Sequence, residues 1–343
     1  MRDDIEINIL YQTDNNYAPY TGISINSLLR RHEKYKSINI YIIDNGIDNI
    51  NKEKICDTVK KYNRNVYYID ARELVKYIKM YNMPKYRGGY TNYLKMFAGV
   101  YFSENNINIE RLLFIDSDSL VLGDLGELFT MNMGDNIIGM VCDSLTYRFK
   151  NKYIGLEEED PYFNAGMVLY DMNKWLNEKA LDKIKKHIQN IRASYVNHEQ
   201  DILSSIFKGR ILKMNPKYNF QPYHYIYDPE TFLNIYKIKN YYTSSILKKA
   251  KEDIRIFHTY RFIGVFPWDD NDIHPANKLF DEELKYTFWA DFTKKKKELP
   301  MYIKIERILY KILPSKEYLR IFMVINYIIN ERKNKKSYIE SRK

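Results

Sequence analysis

The sequence predicts an α/β fold organised around a parallel, doubly wound sheet. Three observations support this prediction: apolar runs of strand length alternate with segments of helical spacing, one apolar run leads directly into a pair of aspartates, and 343 residues are enough to bury a sizeable core. Strands joined through helices become parallel neighbours, because the crossover connection packs back onto the sheet. We therefore expect one large domain with a C-terminal extension.

The predicted strands are short apolar or alternating runs bounded by polar residues, and they lie at 5–11, 38–43, 66–69, 112–115, 136–142, 164–171 and 254–258. The predicted helices have apolar residues at helical spacing, and they lie at 22–31, 52–62, 93–102, 180–192 and 200–207. No glycine-rich fingerprint follows the first strand and no P-loop pattern occurs, so Rossmann dinucleotide binding and P-loop phosphate binding lose their main support.

The charge of the chain is concentrated at its C-terminal end. Residues 294–343 hold 15 Lys or Arg and five Glu. The difference between these two counts, +10, equals the formal net charge of the whole chain. A neutral body argues against nucleic-acid binding by residues 1–293. Apolar residues recur at helical spacing between the cations of the tail, which is typical of basic amphipathic helices on an anionic membrane surface. Packing of these helices on the body or on another subunit is the alternative.

The composition favours a cytoplasmic protein. No stretch reaches the roughly 18 apolar residues of a membrane span, and the first residues show no secretory signal. Two cysteines, Cys56 and Cys142, cannot form a disulfide framework, which fits a reducing compartment. Peripheral attachment to the inner face of the cell membrane through the basic tail is the additional expectation.

Asp116 and Asp118 are the leading candidates for chemistry. They follow the apolar run 112–115, and alternate residues of a strand point to the same side, so the two carboxylates can converge where the strand ends. Carboxylates are ligands that Mg²⁺ and Mn²⁺ prefer. Ligands of open α/β sheets bind at this edge. The pair therefore predicts a metal that holds a phosphate.

Two other interpretations of the aspartate pair remain open at this stage. A surface loop can carry Asp-x-Asp without any metal. The pair also occurs in haloacid-dehalogenase-like phosphotransferases, where the first aspartate, here Asp116, is phosphorylated. In that class the motif normally ends the first strand of its domain, whereas at least three predicted strands precede it here.

The order of motifs over about residues 5–293 resembles glycosyltransferase family 8, and its layout is most similar to bacterial lipopolysaccharide and lipo-oligosaccharide galactosyl- and glucosyltransferases. The motifs that carry the resemblance lie at 13–17, 93–96, 116–118, 163–166, 198–203 and 258–268. The resemblance implies a GT-A nucleotide-sugar-binding fold with a mostly parallel central sheet at 1–293, followed by the basic helical tail at 294–343. It implies retaining transfer of galactose or glucose from a UDP-sugar to a glycan or glycolipid acceptor. Mn²⁺ is the implied metal, with Mg²⁺ as the alternative.

The first two motifs are expected to bind the sugar nucleotide. By the resemblance, Asp14 recognises uracil, Tyr17 stacks on it, and Thr13 and Asn16 contribute backbone contacts. A buried acceptor such as Asp14 is a sound specificity device, because leaving it unpaired is costly. Lys95 stands where the family usually has an arginine that contacts the donor phosphate or sugar; it keeps the charge and loses the two-pronged geometry.

The central motifs are expected to hold the donor hexose. The resemblance assigns the amide of Asn164 and the backbone of Ala165 to contacts with the sugar. Glu199 stands where an aspartate binds sugar hydroxyls. Gln200 stands beneath the anomeric carbon and is the expected catalytic residue together with the aspartate pair.

The last motif is expected to close the site. His258 is implied as the third protein ligand of the metal, and Gly264 matches a glycine of the donor-binding loop. This loop is two residues longer than in close relatives, and Phe266 replaces the lysine that holds the β-phosphate. Arg261, inside the insertion, is the candidate substitute for that lysine.

The sequence leaves the chemical mechanism open. Gln200 could act as a weak nucleophile, or the acceptor could attack on the same face from which UDP leaves. A sugar-nucleotide-binding protein that has lost catalysis is the alternative from another functional class, and Lys95 and Phe266 motivate it.

Overall fold

The computed structural model describes residues 5–86, 88–145, 151–190 and 196–340. The strands are β1 (Glu6–Thr13), β2 (Ser37–Asp44), β3 (Asn65–Asp70), β4 (Arg111–Ile115), β5 (Ser119–Val121), β6 (Ile138–Cys142), β7 (Phe163–Asp171), β8 (Ile211–Lys213) and β9 (Ile256–His258). The helices are α1 (Ala18–Arg31), α2 (Asn49–Lys60), α3 (Ala71–Met80), α4 (Leu94–Glu104), α5 (Gly126–Thr130), α6 (Asn151–Ile154), α7 (Met172–Asn177), α8 (Ala180–Asn190), α9 (His198–Ile206), α10 (Pro222–Ile226), α11 (Pro229–Tyr236), α12 (Ser244–Glu252), α13 (Asn277–Leu284), α14 (Met301–Ile312) and α15 (Ser315–Glu340). The last two positions of the predicted helix 180–192 lie outside the described residues.

The central sheet has seven strands in the order β3–β2–β1–β4–β7–β6–β8. Neighbours are parallel at β3–β2, β2–β1, β1–β4 and β6–β8, so the prediction of an α/β fold with a mostly parallel sheet is confirmed. Contrary to what the alternation of strands and helices suggested, the sheet is not parallel throughout, because β7 runs antiparallel to both β4 and β6. Strand β7 is buried along almost its whole length, and the pattern of a strand buried on both faces carries no information about its direction.

The reversed direction of β7 determines where the site forms. Ile115, the last residue of β4, pairs with Met167, and the backbone N–H of Asp116 donates to the carbonyl of Gly166 at 2.8 Å. The beginning of β7 therefore lies at the edge where β4 ends. This arrangement brings Asn164 to the same edge of the sheet as Asp116.

Local signals explain several helix boundaries. Helix α1 begins at Ala18, four residues before the predicted start, because Pro19 in the first turn has the fixed φ that a helix start accepts. Asp48 and Asp70 accept backbone N–H groups at the starts of α2 and α3. Helix α3 was absent from the sequence prediction, although its apolar and polar faces are well separated.

A small two-stranded sheet lies beside the central one. Strands β5 and β9 pair in antiparallel register, with Ser119 opposite His258. The backbone N–H of Thr259 donates to the carbonyl of Asp118 at 2.8 Å, which extends this contact by one residue. The pairing attaches a segment from late in the chain directly behind the aspartate pair.

The tail forms helices α14 and α15, and their inner faces pack on the body. Tyr318, Leu319 and Met323 are buried in an apolar cluster that also contains Phe262 and Val265. Of the alternatives that the sequence left open, packing on the body therefore holds for the inner faces. Among the described residues, no helix combines the length and apolar content that crossing a bilayer requires.

Candidate active site

Three potential metal ligands meet at the carboxyl end of β4. One ligand atom each of Asp116, Asp118 and His258 lies within 4.8 Å of the others. Nε2 of His258 is 3.2 Å from Oδ1 of Asp118 and 3.7 Å from Oδ2 of Asp116. The strand end positions the two carboxylates, and the β5–β9 pairing brings the imidazole to them. The structure thus gathers the three side chains that the sequence and the resemblance single out.

The three groups perturb one another electrostatically. Burial raises the pKa of Asp116, against the opposing charge of Lys95. Burial alone would raise the pKa of Asp118, but the charge of His258 and its hydrogen bond lower it. Burial alone would lower the pKa of His258, but Asp118 raises it. Closely spaced ionisable groups of this kind occur at functional sites.

A cavity of about 270 Å³ opens beside the aspartate pair. Its lining comes from the end of β1 and the turn that follows it, from the Asp-x-Asp segment, and from one polar residue each after β2 and before α4. These residues are Gln12, Thr13, Asp14, Tyr17, Asn45, Thr91, Asp116, Ser117 and Asp118. The cavity therefore brings together three of the residues that the resemblance assigns to the nucleotide, Thr13, Asp14 and Tyr17. Asn16 is exposed and is not part of this lining.

Asp14 also has a structural role at the beginning of α1. Its Oδ1 accepts from the backbone N–H of Tyr17 at 3.0 Å. A carboxylate has two oxygens and about four acceptor positions, so this bond leaves capacity for a ligand. The ring of Tyr17 packs edge-on against Trp268, which joins the cavity wall to the loop after β9.

Lys95 lies beneath the site instead of projecting into the cavity. Its side chain is only 5% exposed, and Nζ donates to the carbonyl of Ala165 at 3.1 Å. The ammonium lies 3.5 Å from Glu199 and 3.8 Å from Asp116. Burial tends to raise the pKa of Glu199, but Lys95 and a hydrogen bond from Asn92 bring it below its ordinary value. The charge of Lys95 acts on the site through these two carboxylates.

Gln200 is fixed at both ends of its amide. Its Oε1 accepts from the backbone N–H of Ala165 at 3.2 Å, and its Nε2 donates to Oδ2 of Asp143 at 3.1 Å. Asn164 donates to the same Oδ2 at 3.0 Å. The predicted residues Asn164, Ala165 and Gln200 therefore form one hydrogen-bonded group around a buried carboxylate.

Asp143 and Asn219 belong to this group although neither was among the predicted site residues. Asp143 directly follows β6, and a polar residue after a buried strand is the signal that singled out Asp116, so the sequence could have identified it. Asn219 ends the short 3₁₀ turn Pro216–Asn219 and is completely buried. No local pattern points to it, because its partners come from distant segments.

Arg261 and Phe266 face each other in the loop after β9. The guanidinium carbon of Arg261 is 5.1 Å from the centre of the Phe266 ring. Burial and the charge of Asp118 raise the pKa of Tyr17, and Arg261 opposes that shift, so the guanidinium lies within electrostatic range of the cavity wall. Phe266 stacks on Trp268 at 4.4 Å between ring centres. The aromatic stack holds the loop against the cavity.

Gly264, which the resemblance assigns to the donor-binding loop, has the tail beside its Cα. Its φ is +81°, a conformation that favours glycine. A Cβ at this position would lie 2.7 Å from Cγ2 of Ile303 and 3.1 Å from Leu299. The glycine is thus required by the backbone turn and by the close approach of α14.

Comparisons with known proteins identify the group to which the site belongs. The sequence model of glycosyl transferase family 8 matches residues 8–272. A protein of Haemophilus influenzae, provisionally named as a glycosyltransferase, is 31% identical over 226 residues, which are 63% of this chain and 64% of that protein. General stress protein A of Bacillus subtilis is 25% identical over 84% of this chain and 96% of its own length. Lipopolysaccharide 1,2-glucosyltransferase of Escherichia coli K12 is 23% identical over 83% of this chain and 79% of its own length.

Solved structures show the same fold. The apo structure of the bifunctional glycosyltransferase WbbM has a TM-score of 0.68 at 19% identity and covers 84% of this chain, although this chain spans only 51% of WbbM. Galactosyltransferase LgtC, in complex with donor and acceptor sugar analogues, has a TM-score of 0.64 at 20% identity over 87% of this chain and 99% of LgtC. The GT-A fold expected from the resemblance is therefore confirmed.

Proposed function

The chain belongs to glycosyltransferase family 8, and we propose that it is a retaining, metal-dependent hexosyltransferase. The proposed donor is UDP-galactose or UDP-glucose, and the proposed acceptor is a glycan or glycolipid of the cell surface. The named glucosyltransferase relative motivates the choice of hexose. Membership of a glycosyltransferase family rules out the haloacid-dehalogenase-like alternative.

The observation that carries this proposal is the ligand cluster beside the cavity. Asp116, Asp118 and His258 offer two carboxylates and one imidazole within 4.8 Å, a donor set that fits Mn²⁺ or Mg²⁺. When bound, such an ion supplies Lewis-acid stabilisation for a departing diphosphate. Because the cavity begins at the aspartate pair, a nucleotide in it would present its diphosphate to these ligands.

The end of β1 supports recognition of uracil. Thr13, Asp14 and Tyr17 line the cavity together. Asp14 retains acceptor positions for the N3–H of uracil, and cytosine lacks that donor. The ring of Tyr17, 37% exposed, offers a face for stacking. We assign these three residues to the nucleotide and leave Asn16, outside the cavity lining, as a backbone contact that the family resemblance alone suggests.

Retention of configuration needs attack on the face from which UDP departs, or two successive inversions. Oε1 of Gln200 already accepts a backbone N–H, which further weakens an amide oxygen as a nucleophile. We therefore favour same-face attack by the acceptor. Gln200, held by Ala165 and Asp143, would steady the positive charge that develops at the anomeric carbon. Glu199 would contact the sugar hydroxyls from the same helix, α9.

Arg261 is the proposed cation for the departing diphosphate. Its guanidinium is exposed, lies near Tyr17 and flanks Phe266, the position at which the family lysine is missing. A preorganised cation aimed at developing negative charge stabilises the transition state. The loop at 259–268 would thereby cover the donor and exclude water.

We also propose that the outer faces of α14 and α15 attach the enzyme peripherally to the inner face of an anionic membrane. Each helix leaves an apolar stripe exposed at helical spacing, formed by Ile305, Ile308 and Ile312 on α14 and by Ile321, Val324, Ile325 and Ile328 on α15. Beside Val324, three cations, Lys237, Lys316 and Arg320, line a cleft of about 550 Å³. An apolar stripe next to cations suits a surface of acyl chains and anionic head groups.

A hydrolysis assay tests the proposed reaction without knowledge of the acceptor. The purified protein is incubated with UDP-galactose, UDP-glucose, UDP-N-acetylglucosamine and CDP-glucose, with Mn²⁺, Mg²⁺ or a chelator. We expect slow release of UDP from one of the two hexose donors with metal and none with chelator. Absence of hydrolysis despite metal-dependent UDP-sugar binding would favour the silent binding protein instead.

A further inference from the structure

Two buried amides hold the imidazole of His258 on the side away from the aspartates. Nδ1 of His258 lies 3.1 Å from Oδ1 of Asn219 and 3.2 Å from Oδ1 of Asn164. The exposed fractions of His258, Asn164 and Asn219 are 5%, 7% and 0%. Water is therefore largely excluded from the back of the ring, and these amide oxygens are its partners there.

The orientation of each amide follows from hydrogen-bond partners that can only donate or only accept. Asn164 donates through Nδ2 to the carboxylate of Asp143, and its Oδ1 accepts from the backbone N–H of Gly166 at 3.0 Å. Asn219 donates through Nδ2 to Oδ1 of Asn164 at 2.8 Å. An ionised carboxylate only accepts and a backbone N–H only donates. Both amide oxygens must therefore face the imidazole.

Two acceptors at Nδ1 keep a proton on that nitrogen, so the ring can offer a cation only the lone pair of Nε2, once the cation replaces the proton that Nε2 shares with Asp118. Nε2 is the atom that faces the carboxylates of Asp116 and Asp118. In this form, and in this direction, the imidazole can ligate a cation that the two aspartates share.

The packing in front of the amides also restricts the ring. A Cβ at Gly166 would lie 2.1 Å from Cε1 and 2.2 Å from Nδ1 of His258, so the glycine makes room for the ring edge. Rotation of the imidazole would lose both amide acceptors and would bring the ring against β7. The direction of Nε2 is thus fixed by contacts on two sides.

We infer that Asn219 is a positioning residue for the metal site: it holds His258 in the Nδ1–H form and aims Nε2 at the aspartates, and it thereby sets the affinity for a divalent cation. This inference rests on the proposed metal site. Partners that orient a histidine ligand through its second nitrogen typically change metal affinity by about 10- to 100-fold when they are removed. Nothing in the local sequence marks Asn219, since its partners lie 39 and 55 positions away along the chain.

The test is the dissociation constant of Mn²⁺, measured by electron paramagnetic resonance on the full chain without sugar nucleotide. Asn219→Leu keeps the branched shape but removes the acceptor for Nδ1–H and the donor to Asn164, and we expect affinity to fall by about 10-fold or more. Asn219→Asp keeps an acceptor for Nδ1–H but loses the amide donor to Oδ1 of Asn164, so we expect it to bind Mn²⁺ more tightly than Asn219→Leu. Gln221→Leu is the matched control: Gln221 is equally buried, bonds to Ser144, to Cys142 and to the backbone carbonyl of Asn219, and touches no proposed metal ligand.

The inference is overturned if Asn219→Leu binds Mn²⁺ as tightly as Gln221→Leu, or if Asn219→Asp is as weak as Asn219→Leu. A second readout does not need metal: ¹⁵N–¹H correlation spectra of the metal-free protein report whether Nδ1 of His258 carries a proton that is held in a hydrogen bond. We expect a slowly exchanging Nδ1–H in wild type, because two buried amide oxygens accept it, and faster exchange in Asn219→Leu. If wild type fails to bind Mn²⁺, the proposed metal site fails, and the Nδ1–H signal still decides whether Asn219 holds the ring. If Asn219→Leu does not fold, Asn219→Asp and the wild-type Nδ1–H signal decide it.

Discussion

The guanidinium of Arg261 lies 5.1 Å from the ring of Phe266, the residue that replaces the lysine expected from the family resemblance. A cation therefore remains beside this position although the usual one is absent. Lys297 approaches the same ring, at 5.6 Å, but it also lies 4.0 Å from the carboxylate of Asp269. The two cations around Phe266 thus differ in their partners, and substitution can separate their roles.

Arg261→Ala should slow the turnover of the UDP-hexose. The expected loss of transition-state stabilisation is about 2–4 kcal/mol, the range for removing one group that stabilises developing charge. The reason is that the diphosphate gains charge as it leaves and Arg261 is the proposed neutralising group. The measurement is kcat for hydrolysis of the preferred UDP-hexose. Lys297→Ala is the matched control and should stay near wild type. Equal losses in both variants would mean that the general positive charge of the loop matters and not Arg261 itself.

Asp118→Asn should abolish Mn²⁺-dependent turnover and weaken Mn²⁺ binding while the protein stays folded. The substitution removes a charged ligand from the cluster but keeps its shape. Turnover and the thermal midpoint are measured together, with Glu53→Gln on the exposed face of α2 as the control. Unchanged turnover would exclude the assignment of Asp118 to the metal.

Asp14→Ala should weaken UDP binding more than it lowers the maximal rate. Contacts to uracil are the same in the ground state and the transition state, so their loss appears mainly in KM. The turn before α1 also loses the hydrogen bond from the Tyr17 N–H to Asp14, which should cost about 1 kcal/mol of stability. Wild-type enzyme that uses CDP-hexose as well as UDP-hexose would contradict the uracil assignment.

Asp124 should make the stability of the protein depend on acid pH. Burial raises its pKa, but Lys34, the N–H of Gly126 and Tyr35 together lower it to about 2. A carboxyl group with a depressed pKa in the folded state stabilises it above the unfolded pKa near 3.8, and this contribution is lost as the pH falls toward 2. Allowing for solvent screening, Asp124→Asn should cost about 1–2 kcal/mol in urea unfolding at pH 7. The difference from wild type should shrink below pH 4, and an equal difference at pH 3 and pH 7 would contradict this account.

Ile312→Glu combined with Val324→Glu should reduce binding to vesicles that contain anionic lipid, while hydrolysis of free UDP-sugar stays at the wild-type level. These side chains are 68% and 59% exposed on the outer stripes of α14 and α15, and a charge there opposes insertion between acyl chains. Vesicle flotation measures the binding. Ile50→Glu, on α2 and also 68% exposed, is the control. Equal flotation of all variants would show that the stripes do not meet the membrane.

Local patterns in the sequence were sufficient for the first half of the sheet and for the aspartate pair. Strands β1, β2 and β4 are apolar runs with polar ends, so their burial and their carboxyl edge are visible in the chain itself. Asp116 and Asp118 follow from the same pattern. The contribution of His258 could be expected only from the family resemblance, because β5 and β9 are three residues each and gain their order from pairing with one another.

The direction of β7 and the role of Asn219 lay beyond sequence reasoning for a different reason. A strand buried on both faces has no alternation, and its polarity depends on the path of the chain around the sheet. Asn219 gains its meaning only when His258 and Asn164 arrive from distant segments. The motif singled out Lys95, but the burial of its ammonium beneath Asp116 and Glu199 was not visible in the motif.

The close approach of Ile303 to Gly264 makes the tail a support for the loop that carries Arg261. The loop that carries Arg261 turns at Gly264, and helix α14 forms the wall against which this turn rests. Deleting α14 would open a hole behind the loop and release the backbone three residues from the guanidinium. Truncation would therefore impair sugar transfer together with the proposed membrane attachment, whereas point substitutions on the outer stripes would affect only the proposed attachment. In the proposed membrane-bound state, a bilayer against α14 would act through the same contact on the loop proposed to bind the donor.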